Sequence, residues 1–118
     1  MITFSSHLEY YIFTKPTDMR KGYNGLSGIV RNEIQADPSN GKVYVFFNRT
    51  CRLMKMLVWD KDGYVIYSKR LERGTFERIT YKDNMVAYNI KYQHLVMLLS
   101  GISLIGAKQR PRYANTGL

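Results

Sequence analysis

Three short runs rich in β-branched and aromatic residues follow one another in the middle of the chain, and they limit the possible fold more than any other feature. The runs are KVYVFF from Lys42, RLMKMLVW from Arg52 and YVIYSKRL from Tyr64. This composition is typical of β-strands. The second and third runs are separated by DKDG, which suits a tight hairpin because glycine tolerates the positive φ of such turns. The pattern therefore predicts three consecutive antiparallel strands.

The middle run carries apolar side chains at adjacent positions instead of alternating them with polar ones. These residues are Leu53, Met54, Met56, Leu57, Val58 and Trp59. Such crowding predicts a central strand that is covered on both faces, with helices on one side. A fourth run, EYYIFTKP, precedes these and ends at Pro16, which keeps its neighbour out of the helical region. It predicts a first strand.

Two segments repeat apolar residues at intervals of three and four, as one face of a helix requires. The first segment contains Tyr23, Leu26, Ile29, Val30 and Ile34. Since Thr17 or Asp18 can cap it, we expect a helix from there to about Gln35, before the turn-forming sequence ADPSNG. The second segment contains Tyr92, Leu95, Leu98, Leu99 and Ile102, with Gly101 near its end as a stop signal.

The order β-α-β-β-β-α predicts an α+β fold for residues 1–105. We expect a single compact domain in which an antiparallel β-sheet of about four strands packs with two helices. Residues 106–118 are polar, carry Lys108, Arg110 and Arg112, and show no apolar periodicity. They predict a flexible basic C-terminal tail.

The charge balance points to a polyanionic partner. Eighteen Lys and Arg outnumber nine Asp and Glu, which gives a net charge of +9 and a pI near 9.8. Binding to a membrane surface would need a basic amphipathic helix, and neither predicted helix carries a basic stripe. No stretch approaches the roughly 20 apolar residues of a membrane span, and the N-terminus has no charged leader, so we expect a cytoplasmic protein.

Candidates for catalysis are few. Metal-dependent phosphoryl transfer needs two or three converging carboxylates, but Asp60 and Asp62 fall in the predicted hairpin turn, where Asp bonds the local backbone. A single cysteine and two histidines make no zinc site. Cys51 has cationic neighbours that would stabilise a thiolate, yet no base accompanies it, which favours a packing role. We therefore expect no enzyme, no metal, no cofactor and no small-molecule substrate.

The stretch TDMRKGYNGLSG has two compatible interpretations. It lacks the Gly-Lys-Ser/Thr ending of a P-loop, and its GYNG lacks the helices that flank a G-x-x-G nucleic-acid clamp. In one interpretation Arg20 and Lys21 lie in the first helical turn, where the helix dipole favours a phosphate. In the other, Gly22, Gly25 and Gly28 form a strip without side chains that lets the helix pack close to the sheet.

Further cations cluster around the second and third runs. They are Arg49, Arg52, Lys55, Lys69, Arg70 and Arg73. On a shared face they would contact phosphates, whereas on strand edges they would protect the sheet against aggregation.

The order of these motifs resembles that of one protein family. TDMRKGYNGL, DPSNGKVYVFFNR, KMLVWDKDGYVIYSKRLERGTF and LVMLLSGI follow one another between Thr17 and Ile102. They are similar to the accessory protein, called TnpB, encoded by the second reading frame of insertion-sequence-66 elements. The resemblance implies a helper in transposition that acts beside a separate, larger transposase. It also implies that the polar residues of TDMRK and KRLE form the working surface.

We therefore expect a non-catalytic transposition accessory protein that binds DNA at the element ends, the transposase, or both. The residues expected to bind are Arg20, Lys21, Arg49, Lys55, Lys69 and Arg70. One alternative is an adaptor that docks its basic surface on an acidic face of the transposase without touching DNA. Another is a small basic nuclease.

Overall fold

The fold is built on a five-stranded mixed sheet, seen in a computed structural model that describes residues 2–102 and Leu104. The strands are β1 (Tyr10–Phe13), β2 (Val43–Phe47), β3 (Leu53–Asp60), β4 (Gly63–Arg70) and β5 (Ala87–Ile90). The helices are α1 (Tyr23–Ile29) and α2 (Tyr92–Leu99). The spatial order is β4-β3-β2-β1-β5, with β1 parallel to β2 and every other neighbouring pair antiparallel.

The predicted α+β class and the β3–β4 hairpin are confirmed. The sheet has one strand more than expected, and it is mixed instead of wholly antiparallel because β1 and β2 are parallel. The additional strand is β5, which pairs with β1 from Ala87 to Ile90. The parallel pairing of β1 with β2 follows from α1, because a parallel connection has to cross over the sheet through a helix. A helix covers each face of the sheet, whereas the sequence predicted both helices on one side.

The sheet separates two hydrophobic cores because successive side chains of a strand point to opposite faces. The core on the α2 side includes Tyr10, Ile12, Val43, Val45, Met54, Met56, Val58, Leu71, Phe76, Leu95 and Leu98. The core on the α1 side consists of Phe13, Leu26, Ile29, Val30, Tyr44, Phe46 and Leu57. Full burial of one such aliphatic or aromatic side chain contributes about 1.5–3 kcal/mol. Strand β3, which contains the crowded middle run, therefore contributes apolar side chains to both cores.

Helix α1 begins later than the sequence predicts. The Asp18 carboxylate accepts the backbone N–H of Arg20 at 2.9 Å and so closes a separate turn instead of capping the helix. The N-cap is Gly22, which makes no side-chain capping bond. Beyond Ile29 the helix widens into a π-helical segment, Val30–Ile34, and it ends at Gln35 in the left-handed conformation, close to the predicted end.

Helix α2 ends as its sequence predicts, at a glycine stop. Gly101 has a φ of 85°, and its N–H bonds to the Leu98 carbonyl at 3.3 Å. The N–H of Ile102 bonds to the Met97 carbonyl at 2.9 Å, which completes a Schellman motif. Within residues 2–102 no helix is both long and apolar enough to cross a membrane. The predicted basic tail, 106–118, lies outside the described residues, and the domain boundary at 105 stays a prediction.

Candidate functional site

Three basic segments of the chain meet at one end of the sheet. Strands β1, β2 and β4 finish at this end and β3 begins there, as their pairing requires. The N–H of Thr17, after β1, bonds to the Phe47 carbonyl at 2.9 Å. The N–H of Leu71, after β4, bonds to the Arg52 carbonyl in the β2–β3 loop at 2.8 Å. We call this end, residues 15–21, 48–55 and 69–78, the basic end.

The first segment, TDMRK, forms a tight turn that Asp18 organises. The Arg20 side chain donates from Nε and Nη2 to the Asp18 carboxylate, with the Nη2 distance at 2.7 Å. This bonding to Arg20 lowers the pKa of Asp18 to about 2. The Arg20 side chain nevertheless keeps 92% of its surface exposed, so most of its donors remain accessible. Arg20 and Lys21 lie in this turn, before the helix, and their predicted place in the first helical turn is wrong.

Gly25 gives Lys21 room beside α1. A Cβ atom added at Gly25 would lie 2.9 Å from the Lys21 Cβ, closer than side chains pack. By contrast, an added Cβ at Gly22 or Gly28 would meet nothing within 4 Å. The predicted glycine strip against the sheet is therefore wrong, and Gly25 instead accommodates a cation. Lys55 fixes the same turn from β3, because its Nζ donates to the Lys21 carbonyl at 2.9 Å.

The second segment, the β2–β3 loop, is shaped by the Asn48 side chain. Its Oδ1 accepts the N–H groups of Arg52 and Leu53, both at 3.0 Å, and its Nδ2 donates to the Thr50 hydroxyl at 3.1 Å. Cys51 is buried in the loop with a φ of 55°, which agrees with the predicted packing role. The loop leaves Arg49 exposed at its tip.

The third segment, 69–78, wraps around that loop and adds arginines to it. The N–H of Phe76 bonds to the Cys51 carbonyl at 2.8 Å, and the Phe76 side chain is fully buried. Arg52 Nη2 donates to the Glu72 carbonyl at 2.9 Å, and Arg78 Nη2 donates to the Arg49 carbonyl at 2.6 Å. The β2–β3 loop and the 69–78 segment, which we call the wrap, therefore present their guanidinium groups on adjoining surfaces.

All six predicted binding residues lie in the segments of the basic end, but the Lys69 side chain differs from the others in its orientation. Opposite Leu53 in the β3–β4 pairing stands Arg70, whereas Lys69 stands opposite Met54 and so shares the α2 side of the sheet. The Lys69 Nζ donates to the Leu99 carbonyl at 3.2 Å, at the C-terminus of α2. This bond gives Lys69 a structural role, because a cation there stabilises the last helical carbonyls.

Three other arginines of this surface were not among the residues expected to bind, although the sequence groups Arg52 and Arg73 with the basic cluster. Arg52, Arg73 and Arg78 are exposed on the loop and the wrap. The signal for Arg52 was its place in NRTCR beside the predicted Arg49. Arg78 carried no local signal, because only the long-range bond to the Arg49 carbonyl brings it there.

An open groove runs along the α1 side of the basic end. It continues past Glu72 to Thr50 and Arg52, and the residues that line its first part are Met19, Leu53, Met54, Lys55, Ser68, Lys69 and Arg70. Arg70 donates from Nε to the Glu72 carboxylate at 2.7 Å, and both side chains are largely exposed. Among the residues that the structure describes, Arg49, Arg52 and Arg73 have no carboxylate within ion-pair distance. The groove is thus bordered mainly by positive charge.

The close pair of carboxylates that the sequence contains lies away from the basic end. Asp60 and Asp62 flank the β3–β4 turn, at the opposite end of the sheet, where the sequence places them. Across residues 2–102 and Leu104, no three His, Cys, Asp or Glu side chains are grouped so as to hold a metal ion. What the basic end offers is an array of hydrogen-bond donors with positive charge.

Comparisons with known proteins agree with the motifs that build this end. The profile of the family described as IS66 Orf2-like protein matches residues 8–109. The uncharacterized protein y4jC of Sinorhizobium fredii is 32% identical over 111 residues, covering 94% of this chain and 93% of its own length. The uncharacterized protein y4hO of the same organism is 32% identical over 102 residues, covering 86% and 87%. No solved structure matches the chain significantly. The chain belongs to the IS66 Orf2-like family of insertion-sequence proteins.

Proposed function

We propose that this protein is a non-catalytic accessory factor of transposition that binds DNA phosphates through its basic end. The observation that carries the proposal is the convergence of TDMRK, the β2–β3 loop and the 69–78 wrap on one edge of the sheet. The proposed contacts are Arg20, Lys21, Arg49, Arg52, Lys55, Arg70, Arg73 and Arg78. Lys69 is not among these contacts, because its Nζ already donates to the Leu99 carbonyl at the end of α2.

The geometry supports contacts to phosphates more than contacts to base edges. The cations come from three separate loops, and no helix of the described chain carries them as a row that could enter a major groove. Exposed, dispersed Arg and Lys side chains typically hold the nucleic-acid backbone and carry little sequence information. We therefore expect modest preference for the element ends over unrelated DNA.

A gel-shift titration on duplexes with the element's terminal repeats tests this proposal. Log affinity should fall linearly with log salt, by about 0.9 for each contacted phosphate. The double variant Arg20→Gln, Lys21→Gln should bind more weakly and with a shallower salt slope. Lys42→Gln, Lys61→Gln removes the same charge from the other end of the sheet and should bind as the wild type does. Equal weakening by both variants, or affinity independent of salt, would contradict the proposal.

A second candidate function is docking to an acidic face of the transposase. The Asp18–Arg20 and Arg70–Glu72 pairs favour it, because they show that these arginines bind carboxylates at 2.7 Å. Purified transposase, retained by this protein after nuclease treatment and without any shift of element-end DNA, would select the adaptor. Labelled DNA and RNA should stay intact with or without magnesium, and their cleavage would select a nuclease.

A further inference from the structure

Two tyrosines are unusually exposed, and they lie on opposite sides of the sheet. Tyr67 on β4 is 43% exposed, stands opposite Met56 on the α2 side, and meets Phe4 edge to face with ring centroids 6.0 Å apart. Tyr23 is 53% exposed at the start of α1. Within the described part of the chain, no aromatic ring stacks on Tyr23 and no group bonds its hydroxyl. Tyr67 therefore has an aromatic partner in Phe4, whereas Tyr23 has none among the residues that the structure describes.

Tyr23 stands directly beside the basic turn. It follows Lys21 by two residues and Arg20 by three, and the Lys21 stem runs along the same helical turn at Gly25. Gly22, its chain neighbour, carries no side chain, and a Cβ atom added there would meet no atom within 4 Å apart from those of the adjoining residues. The ring and the cations are therefore available to one ligand together.

An exposed aromatic ring flanked by cations is the arrangement with which proteins bind single-stranded nucleic acid. The cations hold the phosphates, and the ring stacks on a base for about 1–3 kcal/mol. In an intact duplex each base is already stacked between its neighbours, so its face is closed to a side chain. A ring at this place adds affinity only for bases that are unpaired or displaced.

We propose that Tyr23, together with Arg20, Lys21 and Lys55, forms a stacking site for an unpaired nucleotide. The basic end then binds single-stranded or locally opened DNA more tightly than duplex DNA of the same length. This inference rests on the proposed function, because the cations have to hold the backbone before the ring can reach a base. In this proposal Tyr23 provides the preference for single-stranded over duplex DNA, which the dispersed cations alone do not provide.

Fluorescence anisotropy with a labelled oligothymidylate and a duplex of equal length tests the site. Tyr23→Ala should weaken binding to the single strand by about tenfold, within the range that loss of one stacked base produces. Tyr23→Phe keeps the ring and should bind the single strand as the wild type does. Duplex affinity should be the same for all three proteins. Tyr67→Ala, the matched control from the other side of the sheet, should change neither affinity.

The outcomes separate the stacking site from the proposed function beneath it. Wild-type binding to both ligands, with Tyr23→Ala unchanged on the single strand, would overturn the stacking site and leave phosphate binding intact. Equal loss on both ligands would also overturn it, because stacking acts on unpaired bases alone. Failure of the wild type to bind either ligand would contradict the proposed function and the stacking site together. Circular dichroism of each variant confirms that the fold is retained.

Discussion

At the scale of single residues, Asp18 shows how one carboxylate can decide the shape of a binding surface. Its oxygens hold both the backbone N–H and the side chain of Arg20, so the turn is closed before α1 begins. The same contact lies within the proposed DNA surface, where a phosphate would compete with the carboxylate for the guanidinium. Arg20 is thus positioned by a partner that can be displaced.

The pKa of Asp18 should show whether its side chain is paired with Arg20 in solution. Its pKa of about 2 lies below the ordinary 3.8, chiefly through the hydrogen bond from Arg20. A lowered pKa means that the stabilising contact is fully present above pH 3.8 and is lost as the pH falls through about 2. NMR titration of the carboxyl carbon should show this midpoint, and Arg20→Gln should move it toward 3.8. Arg73→Gln, which removes a different cation of the basic end, should leave the midpoint in place.

Gly101 offers a test of the stop signal of α2. Its φ of 85° disfavours any side chain, so Gly101→Ala should lower the free energy of unfolding by about 1–2 kcal/mol. Gly28→Ala is the matched control, because Gly28 lies inside α1 with open space around it and should gain up to about 1 kcal/mol. Urea denaturation measures both. Equal destabilisation by the two changes would contradict the role given to Gly101.

At the scale of elements, the β2–β3 loop determines where the arginines of the basic end stand. Asn48→Ala would leave the N–H groups of Arg52 and Leu53 without their acceptor, so we expect a loss of about 1–3 kcal/mol in the free energy of unfolding. Asn48→Asp keeps the acceptor and should be affected less. Thermal or urea unfolding of the two variants compares them. Equal losses in the two variants would contradict the role of the acceptor, because the Nδ2 bond to Thr50 is the one bond that both variants lose.

An element could be predicted from sequence where the residues that determine its structure lie within its own segment. The β3–β4 hairpin and α2 were foreseen because a turn signal, an apolar period and a glycine stop all lie within each segment. Strand β5 was not, because the four residues AYNI gain their strand conformation from pairing with β1, about 75 residues earlier in the chain. The start of α1 was misplaced because an Asp side chain can cap a helix or close a turn, and the local sequence permits both.

The candidate site could be predicted to a similar degree. The period of two along a strand already puts Lys69 and Arg70 on opposite faces, so their separation was accessible from sequence once β4 was recognised. The meeting of TDMRK with the β2–β3 loop was not accessible. It depends on β1 lying beside β2. The β-α-β order is compatible with a parallel pair, but tertiary contacts determine which strands become neighbours.

At the scale of the whole molecule, salt should act in opposite directions on folding and on binding. A net charge of +9, with ten of the eighteen Lys and Arg residues in the segments of the basic end, favours expansion of the chain through self-repulsion. Added sodium chloride screens that repulsion, so the melting temperature should rise with salt while the affinity for DNA falls. Differential scanning calorimetry and anisotropy over the same salt series measure the two trends. A melting temperature that falls with salt would mean that attractive ion pairs outweigh the repulsion.

The position of β1 between β2 and β5 also governs the order in which the polypeptide can fold as it is synthesised. The β2–β3–β4 meander has only near neighbours to pair, and such contacts form early. Strand β1, although made first, gains its second partner only when Ala87–Ile90 has left the ribosome. The turn that follows β1 is held by Phe47 and Lys55, which are made before β5. Only Thr14, at the end of β1, has to wait for the segment next to β5, because it bonds to the Val86 carbonyl. A translation product that stops before β5 would therefore contain every segment of the basic end but would expose the open edge of β1.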